Sequence, residues 1–484
     1  MISMDEIQQL QEENKQLREE NKALKERLTV VEEQVKKLLE QLGQNSHNSN
    51  WPSSRDKTRK KKPKPKSLRT KSGRKAGGQK GHQGHTLKFE AEPDEIETHR
   101  PSHCAHCQVK LSDDADTKTV QKRQVLDLPP LQFVTTEHQV ETVECDQCGH
   151  QTTGCFPESV TQPVQYGSQV KQLAVYLRSE QFVPYERSRQ LMSDLFGFSI
   201  STGTLQNFVN LAAEQVKPIT DQIKKGITAA AIAHADETGF YINKKRVWLH
   251  TVSTPELSYF EPHQNRGYKA TQAINILPHF SGTLVHDSWA TYFKYDKMTH
   301  ALCNVHHLRD LNGIIENDDQ VWASLMKSAL LSAKQLVDEA CFAGLDHLSK
   351  ETIDRIEQLY SAVLELGFRE NPWTKPKSPP KKRGRPKKSK ARNLIERFKR
   401  HQAAILRFVH DFKVPFDNNL AERDIRMMKV QQKISGCFRS WEGAKQFCQL
   451  RSYTSTLRKQ GLNVWHALGS LFDGNPIMPV TTPV

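Results

Sequence analysis

Ile227-Thr-Ala-Ala-Ala-Ile-Ala-His-Ala-Asp-Glu-Thr-Gly239 is a small, apolar run that delivers two carboxylates at its end. The stretches after it keep strand character. Arg246–Ser253 alternates, with Val247, Leu249 and Thr251 set against Trp248, His250 and Val252, the period of a half-buried strand. Leu257–Pro262 reads as a third short strand, Lys269–Leu277 as a helix, and Gly282–His286 as a strand ending at Asp287-Ser-Trp289. Three adjacent strands, a helix and then a strand is the order of an RNase H-like core. Residues 302–412 are patterned mainly as helix, broken by a basic Pro/Gly run at 371–392. A further helix, after Pro415-Phe-Asp-Asn-Asn419, carries Glu422.

The carboxylates carry the chemistry. Phosphodiester cleavage needs acidic side chains that hold two divalent ions ~3.5–4 Å apart, and Mg²⁺ prefers oxygen ligands. The first and fourth strands of an RNase H-like sheet are neighbours, so Asp236 and Asp287 should lie side by side at two strand ends. A third acid must come from a helix packed over that edge. Glu422, within Asp417-Asn-Asn-Leu-Ala-Glu-Arg-Asp424, is well placed if Asp417 caps the helix. Asp424, Asp417 and Glu237 are the alternatives. A single Asp after a strand is more often a turn former than a ligand, so the argument rests on the three together.

Working outward toward the N-terminus, Ser199–Phe208 starts a helix with Ser201 or Thr202 as N-cap. Two helices precede it within 166–216, Val170–Phe182 with one apolar face and Tyr185–Phe196 closed by Gly197. This suits a helix-turn-helix, with Thr204, Gln206 and Asn207 turned toward a major groove. A plain helical subdomain fits equally well.

Further upstream, Cys104-x-x-Cys107 and Cys145-x-x-Cys148 are separated by 37 residues. Two such knuckles supply the thiolates of a tetrahedral structural zinc site. Strand-like stretches lie between them, at Gln124–Leu128 and Phe133–Val143. His103, His106 and His150 are substitute ligands, and Cys155 reads as a bystander. Residues 4–42 form one long helix in which Leu10, Leu17, Leu24, Val31 and Leu38 repeat every seven residues. Ile7, Asn14, Asn21, Leu28 and Val35 precede them by three. That is the a/d seam of a parallel coiled coil, with two a-position asparagines to fix register.

The formal net charge of the 484-residue chain is +15, so an acidic partner is expected. The excess is concentrated. Residues 55–85 hold 13 Lys/Arg and one acid, and residues 375–392 hold 10 Lys/Arg and none. Arg74, Lys75 and Lys80 in the first run, and Arg383 and Arg385 in the second, are the candidate DNA contacts. Lys-Arg-Gly-Arg-Pro386 is similar to a minor-groove hook. No apolar stretch is long enough to span a bilayer, and no secretory segment opens the chain. Nine cysteines, four in knuckles, favour a reducing cytoplasm and thiolate–metal bonding.

His234-Ala-Asp-Glu-Thr-Gly239, Val285-His-Asp-Ser-Trp289, Ala301-Leu-Cys-Asn-Val-His-His-Leu-Arg309 and Pro415-Phe-Asp-Asn-Asn-Leu-Ala-Glu-Arg423 resemble the signatures of insertion-sequence-66 family transposases. So does Gly77-Gly-Gln-Lys-Gly-His82 ahead of the knuckles. The resemblance implies a DDE mechanism with Asp236, Asp287 and Glu422 as the triad, and Mg²⁺ (or Mn²⁺) as cofactor beside structural Zn²⁺. Cys303-x-x-His306 is similar to an element near the second aspartate of other DDE transposases; we read it as structural, a zinc pair or site support being the alternatives.

The fold class expected is therefore multidomain, an α+β/α/β RNase H-like catalytic core with a helical insertion. The expected division is a coiled coil at 1–43, a basic linker at 44–88 and a zinc-binding module at 89–160. A helical DNA-binding-like segment at 161–222, a catalytic domain at 223–436 with its insertion at about 305–412, and a helical tail at 437–484 follow. The function expected is cutting and joining of double-stranded DNA at element ends and target by a nucleoid-associated homodimer or higher oligomer, with possible helper proteins and no membrane. The alternatives are a catalytically dead zinc-dependent DNA-binding regulator and an RNase H-like nuclease without strand transfer.

Overall fold

The computed structural model describes residues 4–45, 47–49, 88–114, 117, 121–129, 131–373 and 388–481. Helix α1, Met4–Gly43, is continuous. Its heptad residues Leu17, Leu28, Val31, Val35 and Leu38 stand exposed along it. Asn21 bonds back to the Leu17 carbonyl at 3.1 Å. The basic candidates Arg74, Lys75, Lys80, Arg383 and Arg385 lie outside the described residues.

Between the knuckles the structure is sparer than the sequence predicts. Gln124–Leu128 forms no strand, and of Phe133–Val143 only the end does. β1 (Thr142–Glu144) pairs antiparallel with β2 (Gln151–Thr153). Valine and phenylalanine here are exposed, so β propensity has no buried face to act on.

Helices α2 (Ser168–Ser179), α3 (Tyr185–Phe196) and α4 (Thr202–Ala229) come next. Gly197 closes α3 in the left-handed conformation, and Ser201 caps α4 by accepting from Thr204 N–H at 2.9 Å. The predicted groove-reading face is largely spoken for. Leu205, Phe208, Val209 and Ala212 are buried, and Gln206 donates to Asn210 and to Gln446. Of Thr204, Gln206 and Asn207, only Asn207 is exposed. The expected boundary at 222/223 falls inside α4.

The central sheet starts with β3 (Ile232–Ile242) and β4 (Lys245–Ser253). Asn243 and Lys244 join them, both at positive φ, the two-residue turn whose twist matches a hairpin. Then follow β5 (Ser258–His263), the short helix α5 (Tyr268–Ile274), β6 (Thr283–His286) and β7 (Thr299–Leu302). The order is β5-β4-β3-β6-β7. The first three strands are antiparallel; β6 and β7 run parallel to β3. Gly282 permits the crossing into β6: a Cβ there would meet the Ala231 carbonyl oxygen at 2.4 Å.

An all-helical insertion leaves the sheet after β7. It comprises α6 (Asn304–Asp318), α7 (Val321–Phe342), α8 (Lys350–Glu370), α9 (Lys390–Arg400), α10 (Gln402–Ile405) and α11 (Arg407–His410). It has its own core around Trp322, Met326, Tyr360, Ile395 and Phe398. The chain then returns as α12 (Asn419–Ser435), which packs on β3 and β4. Helix α13 (Trp441–Lys459) covers β5 and α4, and α14 (Val464–Phe472) packs on α2. The segment expected as a tail is thus part of the main core. Val216, Ile223, Ala233, Val252, Leu284, Leu457 and Leu468 share one cluster, each large apolar side chain contributing about 1.5–3 kcal/mol by leaving water.

Candidate functional site

Asp236 is not at a strand end. It is the fifth residue of β3, paired with Thr251 of β4. On the other side β3 pairs with β6 only through Ile232–His234, the last match being His234 with Val285. Extending that parallel register by two residues brings Asp236 level with Asp287, which directly follows β6. The ladder opens just where both acids emerge. Asp236 Oδ1 accepts from Glu237 N–H at 2.8 Å, and Asp287 Oδ1 from Trp289 N–H at 2.9 Å.

Glu422 comes from the first turn of α12. The helix is pinned beside β3 by Asn418, which is buried. Its Oδ1 accepts from His234 Nδ1 at 2.9 Å, its Nδ2 donates to Ala235 O at 2.9 Å, and its N–H donates to Cys303 Sγ at 3.2 Å. Asn418, rather than Asp417, occupies the N-cap position. Asp417 instead accepts from Asn419 N–H at 2.9 Å.

The three carboxyls sense one another. Burial holds Asp236 well above its ordinary pKa, with Glu237, Asp287 and Glu422 adding repulsion. Burial also raises Asp287. Glu422 is raised by burial against the pull of Arg309 and Arg426, with Asp417 and Asp287 adding to the rise. The three acids are not gathered into one group within 4.8 Å, as Glu422 is with Cys303 and His306; a cation bound among them would relieve both the burial cost and the repulsion. The all-oxygen donor set fits Mg²⁺ or Mn²⁺.

The alternatives to Glu422 are otherwise engaged. Asp424 Oδ2 accepts from Lys459 at 2.8 Å, Ser253 at 2.7 Å and Ser258 at 2.9 Å. Glu237 takes Arg266 at 2.6 Å and the Tyr292 hydroxyl at 2.6 Å, and burial lifts it to about 7. The Arg266 guanidinium also lies over Trp248 and Trp289, 4.9 and 4.5 Å from the ring centres. This cation–aromatic ledge escaped sequence reading, because its members come from three separate segments. Asn418 and His234 were missed for the same reason, although both sit inside the quoted motifs.

Cys303 and His306 stand beside Glu422. Cys303 occupies the N-cap position of α6, with His306 one turn on. Their ligand atoms and a Glu422 carboxylate oxygen all lie within 4.8 Å of one another. Burial pushes the Cys303 thiol up to about 12 and the His306 imidazole down to about 4.

Each cysteine knuckle has knuckle geometry. Cys104 N–H donates to Val109 O and Gln108 N–H to Cys104 O; Cys145 N–H donates to His150 O and Gly149 N–H to Cys145 O. Gln108 and Gly149, each after its second cysteine, take positive φ of 60° and 71°. The N–H of Cys107 lowers the Cys104 thiol, and that of Gln147 lowers Cys145. The two turns are therefore built alike to present thiolates. The four sulfurs are not gathered into one group within 4.8 Å.

Comparison with known proteins finds three family matches. Residues 163–446 match "Transposase IS66 family". Residues 101–149 match "zinc-finger binding domain of transposase IS66", so a zinc-binding segment precedes the sheet domain. Residues 3–88 match a family of unknown function. A curated relative, the uncharacterized protein y4jO of Sinorhizobium fredii, is 30% identical over 93 residues. That match covers 19% of this chain and 29% of the relative's length. Among the described residues no helix is long and apolar enough to cross a membrane.

Proposed function

The chain belongs to the IS66 family of transposases, and on that footing we propose that it cuts the ends of an insertion sequence and joins them to target DNA by DDE chemistry. The observation that supports this reading is that Asp236 and Asp287 each lie two residues beyond the last β3–β6 pair, His234 with Val285, with Glu422 in the first turn of the helix packed on β3. The strand order, three antiparallel followed by two parallel to the first, is that of an RNase H-like core and supports it. The family match does not favour a dead regulator or a nuclease without joining.

Asp236, Asp287 and Glu422 are the residues that would hold the catalytic cations. Bound Mg²⁺ or Mn²⁺ supplies activation of the attacking oxygen and charge stabilisation of the leaving one. Asn418, bonded to His234 and Ala235, ties the start of α12, which carries Glu422, to β3. The Arg266 ledge, flanked by Trp248 and Trp289, offers cation and ring faces to a nucleic-acid strand. The testing assay is incubation with Mg²⁺ and element-end DNA. Nicks with 3′-hydroxyls followed by joined products support the reading; an inert protein removes it.

Cys104, Cys107, Cys145 and Cys148 are proposed to share one structural Zn²⁺. Closing the shell requires the two like-shaped knuckles to approach, for which the metal supplies the driving force. Cys145→Ser is expected to lose the zinc and the order of residues 101–153 while the sheet domain's melting transition stays in place. A parent protein that purifies without zinc in metal analysis refutes this.

The exposed heptad face of α1 is proposed to pair in a parallel coiled-coil homodimer. Five exposed apolar residues along one helix are costly without a partner. Deleting residues 1–43 should lower the sedimenting mass to that of a smaller assembly and leave the sheet domain folded. An unchanged state of association would argue that dimerisation lies elsewhere.

A further inference from the structure

We infer that Cys303, His306 and Glu422 form a second metal site, selective for a thiophilic divalent ion such as Zn²⁺, that competes with the acidic pair for Glu422. The two proposed zinc knuckles lie elsewhere in the chain, and the acidic pair uses oxygen alone. Three features build the site. First, one sulfur, one imidazole nitrogen and one carboxylate oxygen lie within 4.8 Å of one another. Glu422 Oε1 is 3.9 Å from His306 Nε2, too far for a hydrogen bond. Two ligands at ~2.0–2.2 Å from one ion can span about that distance.

Second, a proposed ligand atom lacks a partner: Glu422 Oε1 is buried and has no hydrogen bond. Buried polar atoms are seldom left so. Cys303 is 1% exposed, and its sulfur is turned to the Asn418 N–H.

Third, the backbone fixes the donors. Cys303 N–H donates to His286 O at 2.9 Å and His306 N–H to Cys303 O at 3.2 Å. The start of α6 is thereby tied to the end of β6, next to Asp287. Glu422 projects from the first turn of α12, and its carboxylate is the ligand that the two proposed sites share.

The donor chemistry decides the ion. A thiolate, an imidazole and a carboxylate make a three-ligand set with one open position, the habit of Zn²⁺. Mg²⁺ takes oxygen and leaves sulfur. Cys303 Sγ gives up its proton on binding, so one proton passes to solvent per ion bound. The consequence for catalysis rests on the DDE reading above; the binding itself does not. With zinc bound, Glu422 is withdrawn from Asp236 and Asp287. Zinc then opposes the magnesium-dependent reaction.

The test is zinc stoichiometry of the full chain, with the knuckle cysteines intact. The parent and variants are equilibrated with micromolar Zn²⁺, freed of unbound metal and assayed by mass spectrometry. The parent should hold roughly one zinc per chain more than Cys303→Ser, His306→Ala or Glu422→Gln. Asp236→Asn should keep the extra zinc. The His306 ring is 22% exposed and makes no hydrogen bond that the fold would lose, so His306→Ala tests the site even if Cys303→Ser perturbs the core. Equal zinc in the parent and His306→Ala overturns the proposal. If Glu422→Gln loses zinc yet cleaves DNA as the parent does, the site stands and the DDE reading falls. If it keeps zinc and no longer cleaves, the reverse holds.

Discussion

Asp236→Asn, Asp287→Asn and Glu422→Gln should each reduce strand cleavage and joining at least about a thousandfold, the equivalent of about 4 kcal/mol of transition-state stabilisation. Each change removes one charge and keeps the shape. The fold should tolerate it, because none of the three carboxylates holds the sheet together: Asp236 and Asp287 accept from backbone N–H groups nearby in sequence, and Glu422 Oε1 makes no hydrogen bond. Neutralising an acid that sits raised by burial and by like charges even relieves strain. Loss of activity with unchanged or improved thermal stability is therefore the signature expected of the triad. DNA binding, measured separately, should persist. Asp417→Asn should retain measurable activity. Asp424→Asn should act on stability, since it weakens the bond to Lys459 between α12 and α13. Full cleavage by all three amide variants would remove the assignment; full activity in Glu422→Gln with a dead Asp417→Asn would move the third acid off α12 to the loop before it.

The second large effect is on stability. Glu180, just after α2, is buried and bonds three partners on α13: Arg451 at 2.7 Å, Thr454 at 2.7 Å and Arg458 at 2.6 Å. Arg451 is itself buried. Glu180→Ala leaves that guanidinium without its counter-charge in the core, a loss of about 3–5 kcal/mol. The outcome should be a marked drop in the denaturant midpoint of the sheet domain with the insertion's transition little moved. Arg458→Ala, at the exposed side of the same carboxylate, should cost far less. A Glu180→Ala midpoint within experimental error of the parent would mean that water reaches Arg451 and the network is not a tie.

The sheet was legible because its strands carry a pattern. Alternation placed Arg246–Ser253 to within a residue; the apolar run from Ile227 marked the first strand, but its first three residues finish α4 and the strand runs from Ile232 to Ile242. β7 was not seen: four residues, Thr299–Leu302, are too few to show a period, and the helical run after them masked it. Asp236 was expected at a strand end and lies within one. The strand continues because β4 pairs with it to the hairpin, while β6 stops short. The role of α13 was invisible for a different reason. Ser452, Thr454 and Thr456 look like a solvent-facing stripe, yet all are buried, with Ser452 and Thr456 bonding the edge of β5 and Thr454 bonding Glu180. A hydroxyl that meets a strand's free N–H is apolar in effect, and no sequence window registers the encounter.

That placement of α13 also sets an order in time. The ribosome delivers β3, β4, β5 and β6 before the insertion, and α12 and α13 only after it. At ~5–20 residues per second, the sheet waits several seconds with its α13-facing side uncovered and its third acid not yet made. A ribosome that stalls or terminates within the insertion releases a chain with Asp236 and Asp287 but without Glu422, and with bare strands that invite degradation. On the proposed triad, a chain cut short there would hold two of the three acids and would not cut DNA.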